Sequence, residues 1–159
     1  LARMLGLQVD DIGFDSHRPG IFEGGPRFLY VPVRDAKVLS RARVHEPQWS
    51  QAMQIAAVDS AYLYTPKGAG YSARMFSPTA GIPEDPATGS ASVILAAQLL
   101  EAGSLTPGTT QIALQQGVDM GRPSQIALSI DCDGTTLSAV RVAGSMVPIS
   151  AGQIAIPLV

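Results

Sequence analysis

The segment 88–102 constrains the fold most, because apolar side chains occupy nearly every side of the helix that it predicts. Its apolar residues are Ala91, Val93, Ile94, Leu95, Ala96, Ala97, Leu99 and Leu100. A helix without a polar face is stable only where other elements bury it on all sides. Gly103 follows the segment and favours its termination. The sequence therefore predicts one central helix that the rest of the chain encloses.

Strand-like segments on both sides of this helix are suited to enclose it. They are bounded by Gly, Pro and Asp, and they occupy 27–33, 61–65, 71–77, 111–116, 124–130 and 136–142. Hairpin turns are indicated at 67–70 and at Asp133-Gly134. Because elements pack in layers around one core, we predict an α+β fold in which a mixed, strongly curved sheet wraps around the central helix.

The remaining segments carry weaker patterns. We predict a helix end over 1–7, a loop over 14–25, short helices over 35–44 and 47–57, and two short strands within 144–159. The chain contains no internal repeat and no low-complexity linker. Residues 1–159 are therefore predicted to form a single domain.

Two adjacent carboxylates, Glu84 and Asp85, stand just before the start of the central helix. Thr88 is expected to cap that helix through its hydroxyl, and the small residues Gly89 and Ser90 leave the amides of the first turn accessible. Such amides, with the positive end of the helix dipole, favour an anion. A carboxylate beside an anion-binding turn suits proton transfer on a small acidic substrate, although an ordinary capped helix after a proline turn has the same pattern.

Composition argues against several other functions. Charged residues make up 15% of the chain and its net charge is −2, so we predict neither a nucleic-acid partner nor attraction to anionic membranes. No apolar run reaches the roughly 20 residues of a transmembrane helix. The single cysteine, Cys132, excludes an internal disulfide and is expected to be structural or an inert surface thiol. This cysteine content is consistent with the reducing cytoplasm, the predicted location.

The histidines and large aromatic residues are predicted to have structural or surface roles. His17 and His45 lie far apart in loop-like, charged segments, so we expect them at the surface and predict no metal site. Trp49, Tyr62 and Tyr64 are expected in the core or on strand faces. No glycine-rich loop joins a strand to a helix in the way that phosphate-bearing cofactors require, so no cofactor is predicted.

Three motifs follow one another along the central part of the chain. They are Arg74-x-Phe-x-Pro78, Gly81-Ile-Pro-Glu-Asp-Pro-Ala-Thr-Gly-Ser-Ala91 and Gln116-Gly-x-x-Met-Gly-Arg-Pro-Ser124. In order and spacing, residues 74–124 resemble the PhzF-like family, the phenazine-biosynthesis isomerase and its relatives. That resemblance implies the diaminopimelate epimerase fold, in which two similar domains each wrap a sheet around a central helix and the active site lies in the cleft between them.

The resemblance covers the C-terminal domain only. The N-terminal domain, which in the family carries a catalytic Glu and a Gly-His pair, has no counterpart in these 159 residues. The chain begins with Leu1 in what looks like a helix end, so we expect it to be part of a longer protein. Residues 152–159 are then expected to be a strand whose partner lies in the other domain.

The resemblance also implies roles for particular residues. Asp85 and Ser90 match the catalytic aspartate and serine of the family, and Thr88, Gly89, Ser90 and Arg74 are expected to bind substrate. Arg74 either orients the Asp85 loop or pairs with a surface acid. Related epimerases and racemases use two cysteines, one about where Asp85 stands, so a thiol mechanism is disfavoured here.

Two charged residues beside the motif have open roles. For Glu84, a turn or ion-pair role is favoured over catalysis, since most adjacent carboxylates are solvated. Arg122 either binds a substrate carboxylate or holds loop carbonyls with its fork of donors.

The function implied by the resemblance is that of a cofactor-independent isomerase. It would move a proton and a double bond on a small cyclic or amino acid-derived carboxylate, and it would be incomplete without the N-terminal half. One alternative is a non-catalytic half-fold that binds a small acid or a partner chain, and another is an epimerase with carboxylates in place of thiols. A homo-oligomer such as a homodimer, or pairing with the missing half, is expected to cover the exposed interdomain face.

Overall fold

A mixed sheet of eight strands curls around one helix in the computed structural model, which describes residues 1–155. The strands are β1 (Gly20–Glu23), β2 (Arg27–Pro32), β3 (Ala61–Lys67), β4 (Gly70–Ser77), β5 (Ile82–Asp85), β6 (Gly108–Gln116), β7 (Ser124–Cys132) and β8 (Leu137–Gly144). The helices are α1 (Ala36–Arg41), α2 (Gln48–Ala56) and α3 (Gly89–Glu101), with 3-10 turns at Ala2–Leu5, Val9–Asp11 and Pro78–Ala80.

The strand order is β1-β2-β3-β4-β6-β7-β8, and β5 pairs with β4 beside this path. The pairs β2–β3 and β4–β6 are parallel, and the other pairs are antiparallel. Each parallel pair is joined by a crossover that contains helix, as parallel strands require. The predicted α+β class, with a mixed and curved sheet around a helix, is confirmed.

Helix α3 is the centre of the main core. Leu95 and Leu99 are fully buried there, and the aromatic side chains of Tyr30 and Tyr62 pack in the same cluster. The Tyr30 hydroxyl donates a hydrogen bond of 2.7 Å to the Ala91 carbonyl, so this tyrosine joins the sheet to the helix. Burying a leucine of this kind stabilises the fold by roughly 1.5–3 kcal/mol. The prediction of one enclosed helix is confirmed.

A second core lies on the other face of the sheet. Trp49 of α2 and Val38 of α1 pack there with Leu63 and Phe76 of the sheet. The sequence predicted both short helices but not the layer in which they lie. Helices therefore cover both faces around β2–β4, and α3 occupies the inner face.

The structure corrects two assignments and adds one strand that the sequence analysis did not predict. The expected loop 14–25 contains β1, and 82–85 forms β5, where Pro83 is tolerated because that strand lies off the main path of the sheet. Residues 145–155, expected to contribute strands, form none. These residues are exposed, so solvent satisfies their backbone groups without a partner strand. Residues 156–159 of the same prediction lie outside the described residues.

His17 is buried, so the prediction that it lies at the surface is wrong. Its Nδ1 atom lies 2.8 Å from the Tyr64 hydroxyl and its Nε2 atom 2.8 Å from Ser104 Oγ. Its ring stacks on Phe14 with 4.3 Å between centroids. These partners come from distant parts of the chain and satisfy the polar ring, whereas His45 is exposed as predicted.

The buried imidazole predicts a specific loss of stability in acid. Burial lowers the pKa of His17 below its ordinary value of 6.5, so the unfolded chain binds a proton that the folded chain resists. The contribution of His17 to the free energy of unfolding is fully present above pH 6.5. It is lost as the pH falls further, by at most about 1.4 kcal/mol per pH unit. Thermal melts between pH 7.5 and 5.5 should show that Tm falls less steeply with pH for His17→Gln than for the wild type. Equal slopes would contradict the prediction.

The remaining aromatic residues and the cysteine named in the sequence analysis lie inside the protein. Trp49, Tyr62 and Tyr64 are buried in the two cores, as predicted. Cys132 is buried at the end of β7, and its Sγ atom lies 3.2 Å from the Thr106 carbonyl. Among residues 1–155, no helix is long and apolar enough to cross a membrane. In the same range, no three His, Cys, Asp or Glu side chains are grouped so as to hold a metal ion.

Candidate functional site

The Asp85 carboxylate lies where β5 ends and the chain turns into α3. One edge of β4 serves two strands in succession: it pairs with β6 through Tyr71–Ala73 and with β5 from Met75 onward. Asp85 is paired with Met75, and Gln116 is paired with Ala73. Asp85 and Gln116 therefore lie next to each other at the point where β5 and β6 separate.

The side chain of Gln116 fixes the loop before α3. It is fully buried, and its Nε2 atom donates to the Asp85 carbonyl at 2.7 Å and to Thr88 Oγ1 at 2.9 Å. Its Oε1 atom accepts from the Thr88 amide at 3.3 Å. Gln116 was not among the residues given a role from the sequence. Its position in the third motif, as a polar residue on the inward face of a strand, was the available signal.

Thr88 does not cap α3 through its side chain, so that prediction is wrong. Its hydroxyl instead donates a 2.6 Å hydrogen bond to Asp85 Oδ2 and accepts from Gln116. A bond to a charged acceptor is stronger than one between neutral groups, which accounts for this orientation. Thr88 is buried and its hydroxyl positions the Asp85 carboxylate, and the expected contact of Thr88 with substrate stays a prediction.

Gly89 and Ser90 form the exposed beginning of α3. Within residues 1–155, no side chain caps this helix and Ser90 Oγ takes part in no hydrogen bond. The first amides of a helix lack partners within the helix, and the positive end of its dipole adds to their attraction for an anion. The half-buried Asp85 carboxylate stands directly before these donors. The arrangement is able to hold an anionic group next to a fixed proton acceptor.

Arg74 lies behind the loop. Its guanidinium forms a two-pronged ion pair with Glu84, with two N–O distances of 2.8 Å, and the side chains are 4% and 14% exposed. Its Nη1 atom also donates to the carbonyls of Leu39, Ser40 and Ala42 at 3.0, 3.2 and 2.9 Å. Arg74 therefore orients the loop that carries Asp85, and its expected contact with substrate stays a prediction. Glu84 takes the ion-pair role that was favoured.

The turn between β6 and β7 packs against the same loop. A Cβ atom on Gly117 would overlap the Arg122 carbonyl oxygen and lie 2.9 Å from that of Pro86, and the φ of Gly117 is +77°. The Arg122 side chain is exposed and donates no hydrogen bond to the described part of the chain. It therefore does not hold loop carbonyls here, and its binding of a substrate carboxylate stays a prediction.

Gly117→Ala should disturb the Asp85 loop and destabilise the protein. The left-handed φ costs a residue with Cβ roughly 1–2 kcal/mol, and the contact with Pro86 adds to this cost. Gly121→Ala is the matched control, because its φ is +76° in the same turn and nothing lies within 4 Å of its Cβ position. Urea denaturation should show a larger loss for Gly117→Ala, and equal losses would refute the packing argument.

Comparison with known proteins matches residues 2–152 to a family described as phenazine biosynthesis-like protein. An uncharacterized isomerase of Mesorhizobium japonicum is 31% identical over 94% of this chain and 52% of its own length. The trans-2,3-dihydro-3-hydroxyanthranilate isomerase of Pseudomonas aeruginosa is 31% identical over 84% of this chain and 46% of its own length. The chain thus spans about half the length of the curated relatives it matches.

Solved structures agree with this match. A PhzF-family phenazine biosynthesis protein of Bacillus anthracis shares the fold, with a TM-score of 0.75 at 22% identity, over 91% of this chain and 50% of that one. A protein of Pseudomonas aeruginosa described as a predicted epimerase has a TM-score of 0.69 at 31% identity, over 90% of this chain and 46% of that one. Since the family match extends over nearly the whole sequence, the chain belongs to the phenazine biosynthesis-like (PhzC-PhzF) family.

Proposed function

We propose that this chain forms one half of a cofactor-independent isomerase that moves a proton, and with it a double bond, on a small cyclic or amino acid-derived carboxylate. The observation that carries the proposal is the Asp85 carboxylate, which is fixed by Thr88 beside the open first turn of α3. The names of the relatives, several of which are isomerases, support the reaction class.

In this proposal the chain supplies the start of α3 and the Asp85 carboxylate, and the principal base comes from outside the chain. The first amides of α3 and the Ser90 hydroxyl bind the substrate carboxylate and stabilise charge that develops next to it. Asp85 accepts a hydrogen bond from a polar group of the substrate or relays its proton. The principal acid–base group is the Glu that the family resemblance assigns to the N-terminal half. A proton taken from one carbon and returned to another carbon of the conjugated system shifts the double bond with no net change in composition.

Epimerisation is the second candidate, favoured by the similarity to the Pseudomonas aeruginosa protein described as a predicted epimerase. The same anion-binding turn and carboxylate serve that reaction, in which the proton returns to the carbon it left but on the opposite face. The two reactions therefore differ in where the proton arrives, not in how this chain holds the substrate.

Reaction in deuterium oxide separates the candidates. The full-length protein is incubated with trans-2,3-dihydro-3-hydroxyanthranilate and with a panel of small chiral carboxylates. Isomerisation moves the double bond and places deuterium at a new carbon, whereas epimerisation places deuterium at the stereocentre with loss of optical rotation. The isolated 159-residue chain should be inactive. Deuterium exchange catalysed by the isolated chain would overturn the proposal that the site is shared between two halves. If the folded full-length protein catalysed no exchange with any of the substrates, a non-catalytic half-fold would be favoured.

Ser90→Ala should weaken substrate binding without unfolding the protein. A hydrogen bond to a charged group contributes about 1.5–3 kcal/mol, so KM should rise roughly tenfold or more. Ser90 is exposed and outside both cores, so Tm should stay almost constant. Ser50→Ala, an exposed serine of α2, is the matched control and should leave KM unchanged. An unchanged KM for Ser90→Ala would remove the serine from the site.

A further inference from the structure

A cavity of about 370 Å³ lies beside the other end of α3, next to the 14–17 loop and the β3–β4 turn. Ser104, just after the helix, lines it, whereas Asp85 precedes the helix. A helix of 13 residues spans roughly 20 Å, so this cavity is separate from the proposed active site. Two of its walls are the aromatic rings of Phe14 and Tyr71, whose centroids lie 6.5 Å apart.

The one charged side chain among the residues that line this cavity is acidic, and the nearby Arg18 guanidinium, which is not part of the lining, donates to the carbonyls of Asp15 and His17 at 2.8 Å. The acidic side chain is that of Asp15, and it forms no ion pair with any described residue. Burial lowers the pKa of His17, so that ring is neutral at pH 7. Burial raises the pKa of Tyr71, and the Asp15 carboxylate acts in the same direction, so its charge lies close to that ring.

The polar groups of the wall form a fixed chain rather than a nucleophile. Ser104, His17 and Tyr64 lie in line, with 2.8 Å at each contact. Both ring nitrogens of His17 are engaged in these contacts, so neither nitrogen is free to act as a base toward a ligand in the cavity. This arrangement is suited to binding a ligand, not to attacking one.

We propose that the cavity binds a small organic amine, with its ammonium group against Asp15 and its apolar part against the rings of Phe14 and Tyr71. A carboxylate without a partner cation and the negative faces of aromatic rings both attract a cation. The negative end of the α3 dipole acts in the same direction. The two ends of α3 therefore select ligands of opposite charge, the amine here and the carboxylate at Ser90.

Three ligands of similar size test the proposal by calorimetric titration of the full-length protein at pH 7. 2-Phenylethylamine carries the cation, 2-phenylethanol is its neutral counterpart and phenylacetate is the anion. The amine should bind at least tenfold more tightly than the alcohol, and phenylacetate should bind most weakly at this cavity. Asp15→Asn should remove the preference for the amine, because Asn keeps the shape and tolerates the left-handed φ of 43° at this position. Tyr71→Leu should weaken amine and alcohol alike.

Two control variants make each outcome decisive. Asp10→Asn removes an exposed carboxylate that does not line the cavity and should leave amine affinity unchanged. Asp85→Asn should also leave it unchanged, so the cavity proposal stands or falls independently of the proposed isomerase. Equal affinities for amine and alcohol, no amine binding by the folded protein, or full amine affinity in Asp15→Asn would each overturn the proposal. Loss of amine binding in Asp85→Asn would place the amine at the other end of α3 and overturn it as well.

Discussion

Replacing Asp85 with Asn in the full-length protein should lower kcat by roughly 10²–10⁴-fold, the range for loss of a general acid–base group. The amide is nearly the same size as the carboxylate and still accepts a hydrogen bond from Thr88, so the loop should keep its shape. It cannot take up a proton at neutral pH. Incorporation of solvent deuterium into substrate should fall by the same factor, while Tm should change by only a few degrees.

Asp10→Asn is the control for this substitution, because that exposed side chain lies far along the chain from the Asp85 loop. It should retain the wild-type exchange rate. A wild-type rate in Asp85→Asn would remove Asp85 from proton transfer and leave it a purely structural role. A rate loss accompanied by unfolding would show instead that the carboxylate holds the loop, which is also contrary to the expectation.

Arg74→Met should be the most destabilising of the substitutions considered, with a loss of about 3–5 kcal/mol in the free energy of unfolding. It leaves the Glu84 carboxylate, only 14% exposed, without its cation. It also removes the donor to the three carbonyls at the end of α1. Guanidinium denaturation measures the loss, and Arg74→Lys should be intermediate, since an ammonium group cannot form the same two-pronged pair.

Arg141→Met is the matched control for an exposed ion pair. Arg141 donates to Asp131 at 2.6 Å, but its side chain is 63% exposed, so solvent screens the pair. Its loss should leave stability almost unchanged. If Arg74→Met were equally mild, the buried pair would not be what secures the Asp85 loop. In that case kcat would also depend on pH in the same way in Arg74→Met and Arg141→Met.

The parts of the fold that could be predicted are those encoded locally. The apolar surround of α3 lies within 15 consecutive residues, so burial of this helix follows from the sequence alone. The placement of a carboxylate just before a helix start with small residues is likewise visible from 85–90, where Asp85, Gly89 and Ser90 fall within a few positions. A local pattern was sufficient for each.

The parts that could not be predicted depend on partners far away in the chain. Gln116 lies 31 residues from Asp85, and its position on the inward face of a strand does not identify the loop that its amide holds. His17 meets Ser104 across 87 residues, so its burial was invisible from its polar surroundings. Thr88 is an informative failure, because the capping rule is local and yet a nearby carboxylate competed successfully for the hydroxyl.

Because one edge of β4 pairs with β6 and then with β5, only a short stretch of β6 is aligned against β4, and a small change in its sequence would shift that alignment. Only three residue pairs, Tyr71–Leu114, Ser72–Gln115 and Ala73–Gln116, fix β6 against β4. A slip by one residue would turn the glutamine to the opposite side of the sheet, and its hold on the acidic loop would be lost. Insertions within β6 should therefore abolish turnover even where the protein folds. Lengthening the turn at the exposed Gly121 should be tolerated, because it leaves this alignment intact.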